Sequence, residues 1–251
     1  MESVLKKPFV VGNWKMNGSL DHVHRFQAHL EPTLKVLQDR LSLGICPPFP
    51  FLTAFSENFL SHICLGGQDC STQAKGAFTG DISAAMLKDV GCSFVLLGHS
   101  ERRYYHQETS EILKQKYLQA VHANLQVILC VGETLAQRQE GTHLETVAKQ
   151  IHEVLKGEEA PAALWIAYEP VWAIGTKEVP SSEAVQEMVV CIQQTYRHLF
   201  PKMSVPVPIL YGGSVGAENV ASFLNISGIE GVLVGGASLQ PETFEALLKA
   251  Y

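Results

Sequence analysis

The sequence lacks the features that mark several large classes of protein. No apolar run approaches the ~20 residues that cross a bilayer, and Met1–Lys7 passes straight into a strand-like Phe9-Val10-Val11 without the pattern of a secretory leader. Charged residues make up only 18% of the 251 and the net charge is -6, which excludes a basic nucleic-acid face. With 46% hydrophobic residues, disorder is excluded as well. None of the six cysteines (Cys46, Cys64, Cys70, Cys92, Cys130, Cys191) forms a CxxC, so reduced, mostly buried thiols are expected rather than a disulfide or zinc framework. His22-x-His24 lies on a predicted helix without the Cys or acidic company that a metal needs. The first strand-to-helix loop, Gly12–Gly18, is neither GxGxxG nor a P-loop. A soluble, cytoplasmic protein with no membrane or nucleic-acid partner is expected.

Short apolar runs alternate with helical patterns from end to end. The runs are Phe9–Asn13, Leu41–Cys46, Ile63–Gly66, Phe94–Leu97, Val127–Val131, Leu164–Tyr168, Val207–Tyr211 and Gly231–Val234. Between them, helices are expected over Asp21–Gln38, Pro50–Leu60, Ser83–Val90, Ser110–Ala123, Thr134–Leu155, Ser182–Leu199, Ala217–Leu224 and Pro241–Ala250, with Thr134 and Ser182 as N-caps. Eight such units in this length predict an α/β protein, a single (β/α)8 barrel over residues 1–251. In a parallel barrel, functional groups gather where strands end and loops leave for helices. Here those ends carry Asn13 and Lys15, Gly98-His99-Ser100-Glu101, Gly132-Glu133, Glu169, Gly212-Gly213-Ser214 and Gly235-Gly236.

The stretch Ala163–Lys177 concentrates the chemistry. An apolar run stops at Glu169, and Pro170 ends the strand there because it cannot donate to a sheet ladder. A carboxylate at the mouth of an apolar strand is strengthened as a base by desolvation; it also suits a helix-capping role. The loop after it, with an exposed Trp172 and a flexible Gly175, has the composition of a lid. Paired glycines after strands seven and eight admit a ligand close to the backbone, and the turn after Gly235-Gly236 offers free N–H groups to an anion, although such pairs also make plain turns. His99 suits either a packed core or catalysis, with the helical turn at Ser100-Glu101 favouring a neutral ring. Lys15 suits either solvent or an oxyanion and phosphate. A carboxylate base, a neutral histidine, a lysine and a phosphate cradle point to proton transfer next to a carbonyl on a small phosphorylated substrate.

Five motifs, Gly12–Asn17, Gly98–Arg103, Ala167–Thr176, Tyr211–Val215 and Leu233–Leu239, occur in the order and spacing of the triosephosphate isomerases, which this chain resembles over nearly its whole length. The resemblance implies a TIM barrel that interconverts dihydroxyacetone phosphate and D-glyceraldehyde 3-phosphate through an enediol(ate), in glycolysis and gluconeogenesis, with no cofactor and no metal. It implies Glu169 as the base, His99 as the group that polarises and protonates the oxygens, and Lys15 and Asn13 as stabilisers of negative charge. Gly175, Ser214, Gly235 and Gly236 would hold the phosphate. A homodimer would form through the loop Gln68–Asp81, with Thr79 buttressing Lys15 and Asn13 of the neighbouring copy. Other phosphate-binding barrel isomerases, an aldolase and a non-catalytic barrel are the alternatives, and no predicted strand holds the lysine an aldolase needs.

Three departures from the family pattern carry expectations. Lys177-Glu178 replaces the lid's Gly-Lys. Pro180 stands where a hinge N–H would meet the hydroxyl of Tyr211, so that latch should be missing. Asp81 replaces a glutamate, which should alter its pairing with Arg102.

Overall fold

The structure is a computed structural model that describes residues 7–55, 57–159, 163–176 and 178–251. The departure at Lys177 and the residues of the leader reading before Lys7 lie outside the described residues. Eight parallel strands, β1 (Phe9–Asn13), β2 (Ser42–Cys46), β3 (Cys64–Gly67), β4 (Phe94–Leu97), β5 (Gln126–Val131), β6 (Leu164–Tyr168), β7 (Ile209–Tyr211) and β8 (Ile229–Val234), pair in sequence order. Pairing of β1 with β8 closes the sheet into a barrel, so no strand edge is left open.

Side chains alternate between the two sides of the barrel wall, as the pleat requires. Phe9, Val11, Phe94, Leu96, Ile128, Cys130, Ala167, Leu210 and Leu233 fill the interior. Their neighbours Val10, Val95, Val127, Leu129 and Ile166 face outward against the helices. The interior fill explains a glycine: a Cβ at Gly66 would fall 2.3 Å from the ring of Phe94, its partner on the adjacent strand β4. With both faces covered, strands can be near-continuous apolar runs, which is why they could be read from the sequence.

The helices are α1 (Leu20–Leu37), α2 (Glu57–Leu60), α3 (Ala84–Asp89), α4 (Ser100–Tyr105), α5 (Ser110–His122), α6 (Leu135–Gln139), α7 (His143–Leu155), α8 (Ser182–Leu199), α9 (Val220–Leu224) and α10 (Pro241–Lys249). In α1, Val23, Phe26, Leu30, Leu34 and Leu37 recur at helical spacing on one buried face. That face packs on α10, with the rings of Phe26 and Phe244 stacked at 6.0 Å.

Several boundaries differ from expectation for local reasons. The helix expected over 50–60 is a 3-10 turn, Phe49–Ala54, followed by the short α2. The helix expected over 134–155 is two: Thr134 caps α6 with a full capping box, and Gly141, at φ 74, turns the chain before α7. Strand β7 begins at Ile209 rather than Val207, since Pro206 and Pro208 offer no N–H to the ladder. The cap of α8 is Ser181, whose hydroxyl accepts from the Ala184 N–H at 3.2 Å; Ser182 is its first helical residue.

No helix among the described residues is long and apolar enough to cross a membrane. All six cysteines are unpaired thiols, four of them buried. Behind the wall near β3 and α4, Lys116 of α5 is buried between two carboxylates. Its ammonium lies 2.6 and 2.8 Å from the Asp69 oxygens and 2.5 Å from Glu108. Arg102 completes the group, 2.8 Å from Asp69 and 2.7 Å from Glu108.

Candidate active site

Glu169 follows the last residue of β6, and its N–H still reaches the Val131 carbonyl of β5 at 2.7 Å. The two backbones are so close that a Cβ at Gly132 would fall 1.7 Å from the Glu169 carbonyl oxygen. The carboxylate is 2% exposed. Its Oε2 accepts the Ser100 N–H at 3.1 Å, and its Oε1 lies 3.5 Å from His99 Nε2 with no hydrogen-bond partner. A buried carboxylate oxygen without a donor is costly, and this one lies beside the cavity.

His99 caps α4 just beyond β4, and its Nδ1 accepts the Glu101 N–H at 3.2 Å. That bond keeps the lone pair on Nδ1, which places the proton of the neutral ring on Nε2, the nitrogen nearest Glu169. The helical turn suggested by the sequence therefore acts through one specific N–H group.

Lys15 has φ 54, a left-handed conformation that costs a non-glycine residue about 1–2 kcal/mol. Three bonds hold it there. Its N–H donates to Asn13 Oδ1 at 3.1 Å, Gln68 Nε2 donates to its carbonyl at 2.9 Å, and its ammonium meets Glu101 Oε1 at 2.6 Å. Gln68 also donates to the Cys46 carbonyl at 2.8 Å and so fixes Lys15 against β2. The sequence places Gln68 in the interface loop only and gives the Glu101 side chain no task. Both partners are distant along the chain.

Asn13, Lys15, His99, Glu169, Gly175, Ser214, Gly235 and Gly236, brought from five strand ends, line one cavity of about 340 Å³. Open space lies where a Cβ of Gly236 would stand, and the turn Gly236–Ser238 begins there. A larger open groove of about 1050 Å³ runs outside the barrel between α7 and α8, and none of these residues reaches it.

The lid differs from expectation at Trp172, which is half-buried and bonded rather than exposed. Its indole N–H donates to Glu133 Oε1 at 2.9 Å, and that fully buried carboxylate also accepts from Tyr168 OH and Arg138 Nη1, each at 3.2 Å. Burial pushes the Tyr168 hydroxyl well above its usual range, with the Glu133 charge adding to it, so it stays a donor. Glu133 thus anchors the lid's first turn, a role the sequence signalled only by its place on the rim. Farther along, the Ser214 hydroxyl lies within hydrogen-bond distance of the lid carbonyls of Ala173 (2.6 Å) and Thr176 (3.0 Å). Tyr211 OH is buried without a hydrogen-bond partner among the described residues, and Pro180 is buried. Asp81 accepts from the Ser71 hydroxyl at 2.6 Å, while Arg102 turns to Asp69 and Glu108.

Among the described residues no group of three or more His, Cys, Asp or Glu side chains could hold a metal ion. The sequence profile of the triosephosphate isomerase family matches residues 8–251. Triosephosphate isomerase of Chlorobium luteolum is 42% identical over 251 residues, covering 98% of this chain and 99% of that protein. The enzyme of Moorella thermoacetica is 40% identical over 247 residues, covering 97% and 98%. The crystal structure of triosephosphate isomerase from Bartonella henselae superposes with a TM-score of 0.84 at 34% identity, covering 98% of this chain and 99% of that one. With barrel, rim chemistry and full-length likeness in agreement, this chain belongs to the triosephosphate isomerase family.

Proposed function

We propose that the chain interconverts dihydroxyacetone phosphate and D-glyceraldehyde 3-phosphate by moving a proton between adjacent carbons. The observation that carries this reading is the approach of the Glu169 carboxylate to within 3.5 Å of His99 Nε2, on a cavity that Lys15 also lines. Glu169 leaves the Ser100 N–H, turns into the cavity and takes the proton from the carbon beside the carbonyl. The C–H electron pair becomes the double bond of an enediolate, and the carbonyl pair moves onto oxygen. The Nε2 proton of His99 is given to that oxygen, while Lys15 and Asn13 stabilise the charge. His99, left without its Nε2 proton, takes the proton of the other hydroxyl. That O–H electron pair forms the new carbonyl while the C=C pair takes the proton back from Glu169 at the neighbouring carbon, so both groups return to their starting states. Nothing in this sequence of steps calls for a metal or cofactor.

The N–H groups of Gly175, Ser214, Gly235 and Gly236 hold the phosphate. Closure of the lid brings Gly175 in, and the Ser214 hydroxyl must then release a lid carbonyl. Closure also excludes water, which strengthens the base.

The working form is a homodimer in the cytoplasm, a compartment whose reducing conditions suit unpaired thiols. Met16 (96% exposed), Phe78, Met86, Tyr104 and Tyr105 are exposed apolar side chains; Phe78 belongs to the loop Gln68–Asp81, and Met16 follows Lys15 in the chain. A second copy would cover this set and place Thr79 against Lys15 and Asn13. A coupled assay of D-glyceraldehyde 3-phosphate turnover, run in EDTA over a dilution series with sedimentation alongside, tests the reading. Full activity in EDTA is expected, with specific activity falling as the dimer separates. An inert protein would overturn the isomerase reading, and full activity in the monomer would overturn the cross-subunit buttress.

A further inference from the structure

A cavity built for an anion carries an acidic residue at its mouth. Glu218 lines the same cavity as Lys15, Gly213, Ser214 and Gly235, and it is exposed. Among the described residues no side chain forms an ion pair or hydrogen bond with its carboxylate. Among the lining residues, the cations and anions are Lys15, already held 2.6 Å from Glu101, and the two carboxylates Glu169 and Glu218. A phosphate entering here gains its affinity from N–H groups and works against the charge of Glu218.

The backbone that carries Glu218 is braced. The Gly216 N–H donates to Asn219 Oδ1 at 2.9 Å, and the Gly216 carbonyl accepts from the N–H groups of Asn219 and Val220, so Glu218 sits in a braced turn at the start of α9. A Cβ at Gly216 would fall 2.3 and 2.5 Å from the two Glu218 oxygens. Gly216 does not have the left-handed φ that would call for glycine on conformational grounds. The space it leaves is the space the carboxylate occupies.

We propose that Glu218 is a specificity-determining residue that opposes the phosphate dianion at the cavity mouth, weakening retention of the phosphorylated substrate and product and speeding their release. The proposal rests on the reading of the glycine loops as a phosphate cradle. Coulomb's law for a single and a double charge about 8 Å apart in water-like surroundings corresponds to a factor of a few in affinity.

The test compares wild type with Glu218→Gln and Glu218→Asp, using inorganic phosphate as a competitive inhibitor of triose phosphate turnover at low and high salt. Glu218→Gln should bind phosphate about three- to five-fold more tightly at low salt and lower KM by a similar factor, with the gain vanishing when salt screens the charge. Glu218→Asp, which keeps the charge, should stay close to wild type. Gly216→Ala, which displaces the carboxylate, should move part of the way towards Glu218→Gln. Equal phosphate inhibition in wild type and Glu218→Gln, or a gain that high salt leaves intact, overturns the proposal. If phosphate competes in neither protein, the phosphate cradle itself is wrong and this inference falls with it.

Discussion

Shortening Glu169 to aspartate lowers kcat on the order of 10²-fold or more and leaves KM close to its wild-type value. The change keeps the charge and the carboxyl chemistry and alters only reach. In the structure the backbone of residue 169 cannot advance to compensate, because its N–H is bonded to Val131 at 2.7 Å and its carbonyl is packed on Gly132. The shorter carboxylate therefore stops about one methylene away from the carbon it must deprotonate. A misplacement of that size costs roughly 3 kcal/mol of transition-state stabilisation. Lys15 and the glycine loops are untouched, so ground-state binding persists. Steady-state kinetics of the coupled reaction provide the check, and a kcat within a few-fold of wild type would remove Glu169 from the proton-transfer step.

The largest expected loss of stability comes from Lys116→Met. The substitution keeps most of the side-chain volume and strands Asp69 and Glu108 around Arg102 alone. Removing one partner from a buried ion group costs about 3–5 kcal/mol, a large part of a total stability of about 5–15 kcal/mol. In a chain of this size a melting-temperature drop of roughly 10 °C is expected.

Asp69→Asn should behave differently. Burial raises the Asp69 carboxyl above its usual value, against the opposing pull of Lys116 and Arg102. A carboxyl whose folded value is raised binds its proton more readily in the native state than in the unfolded one. Its contribution therefore falls as pH rises from the unfolded value through the raised folded value, and above that window the ionised form is a net cost. Removing this charge leaves Lys116 and Arg102 facing Glu108 alone, so a loss is expected at neutral pH, but a smaller one than for Lys116→Met, because the desolvation cost of the Asp69 carboxylate is removed with it. Thermal denaturation of the two variants checks both statements, and equal losses would show that the group acts through volume or hydrogen bonds rather than charge balance.

The parts of this molecule that could be read from its sequence were those set by local rules. Strands buried on both faces, as in Leu164–Tyr168, appear as apolar runs whatever lies around them, and a proline after Glu169 marks the strand end. The residues of the rim followed, because a parallel barrel has one chemical end. Breaks inside helical patterns were harder: residues 137–143 carry no apolar side chain whose phase would mark a break, and the left-handed turn at Gly141 separates α6 from α7. What escaped was the set of long-range bonds. Trp172 looked exposed on its loop, and its partner Glu133 lies 39 residues away. The clamp of Gln68 on Lys15 spans 53 residues, and the pairing of Lys15 with Glu101 spans 86. The sequence reading paired Arg102 with Asp81, and its pairing with Asp69 and Glu108 instead depends on where the ends of β3 and α5 bring those side chains.

The account stands most directly on proton transfer through an exchangeable carboxyl group. Isomerisation of D-glyceraldehyde 3-phosphate in D2O, with the product read by NMR, tests it. Deuterium on the hydroxymethyl carbon of dihydroxyacetone phosphate is the predicted result, since a proton held on Glu169 in the intermediate exchanges with solvent. Fast turnover with only protium on that carbon would contradict the account and point to direct transfer of hydrogen between the two carbons.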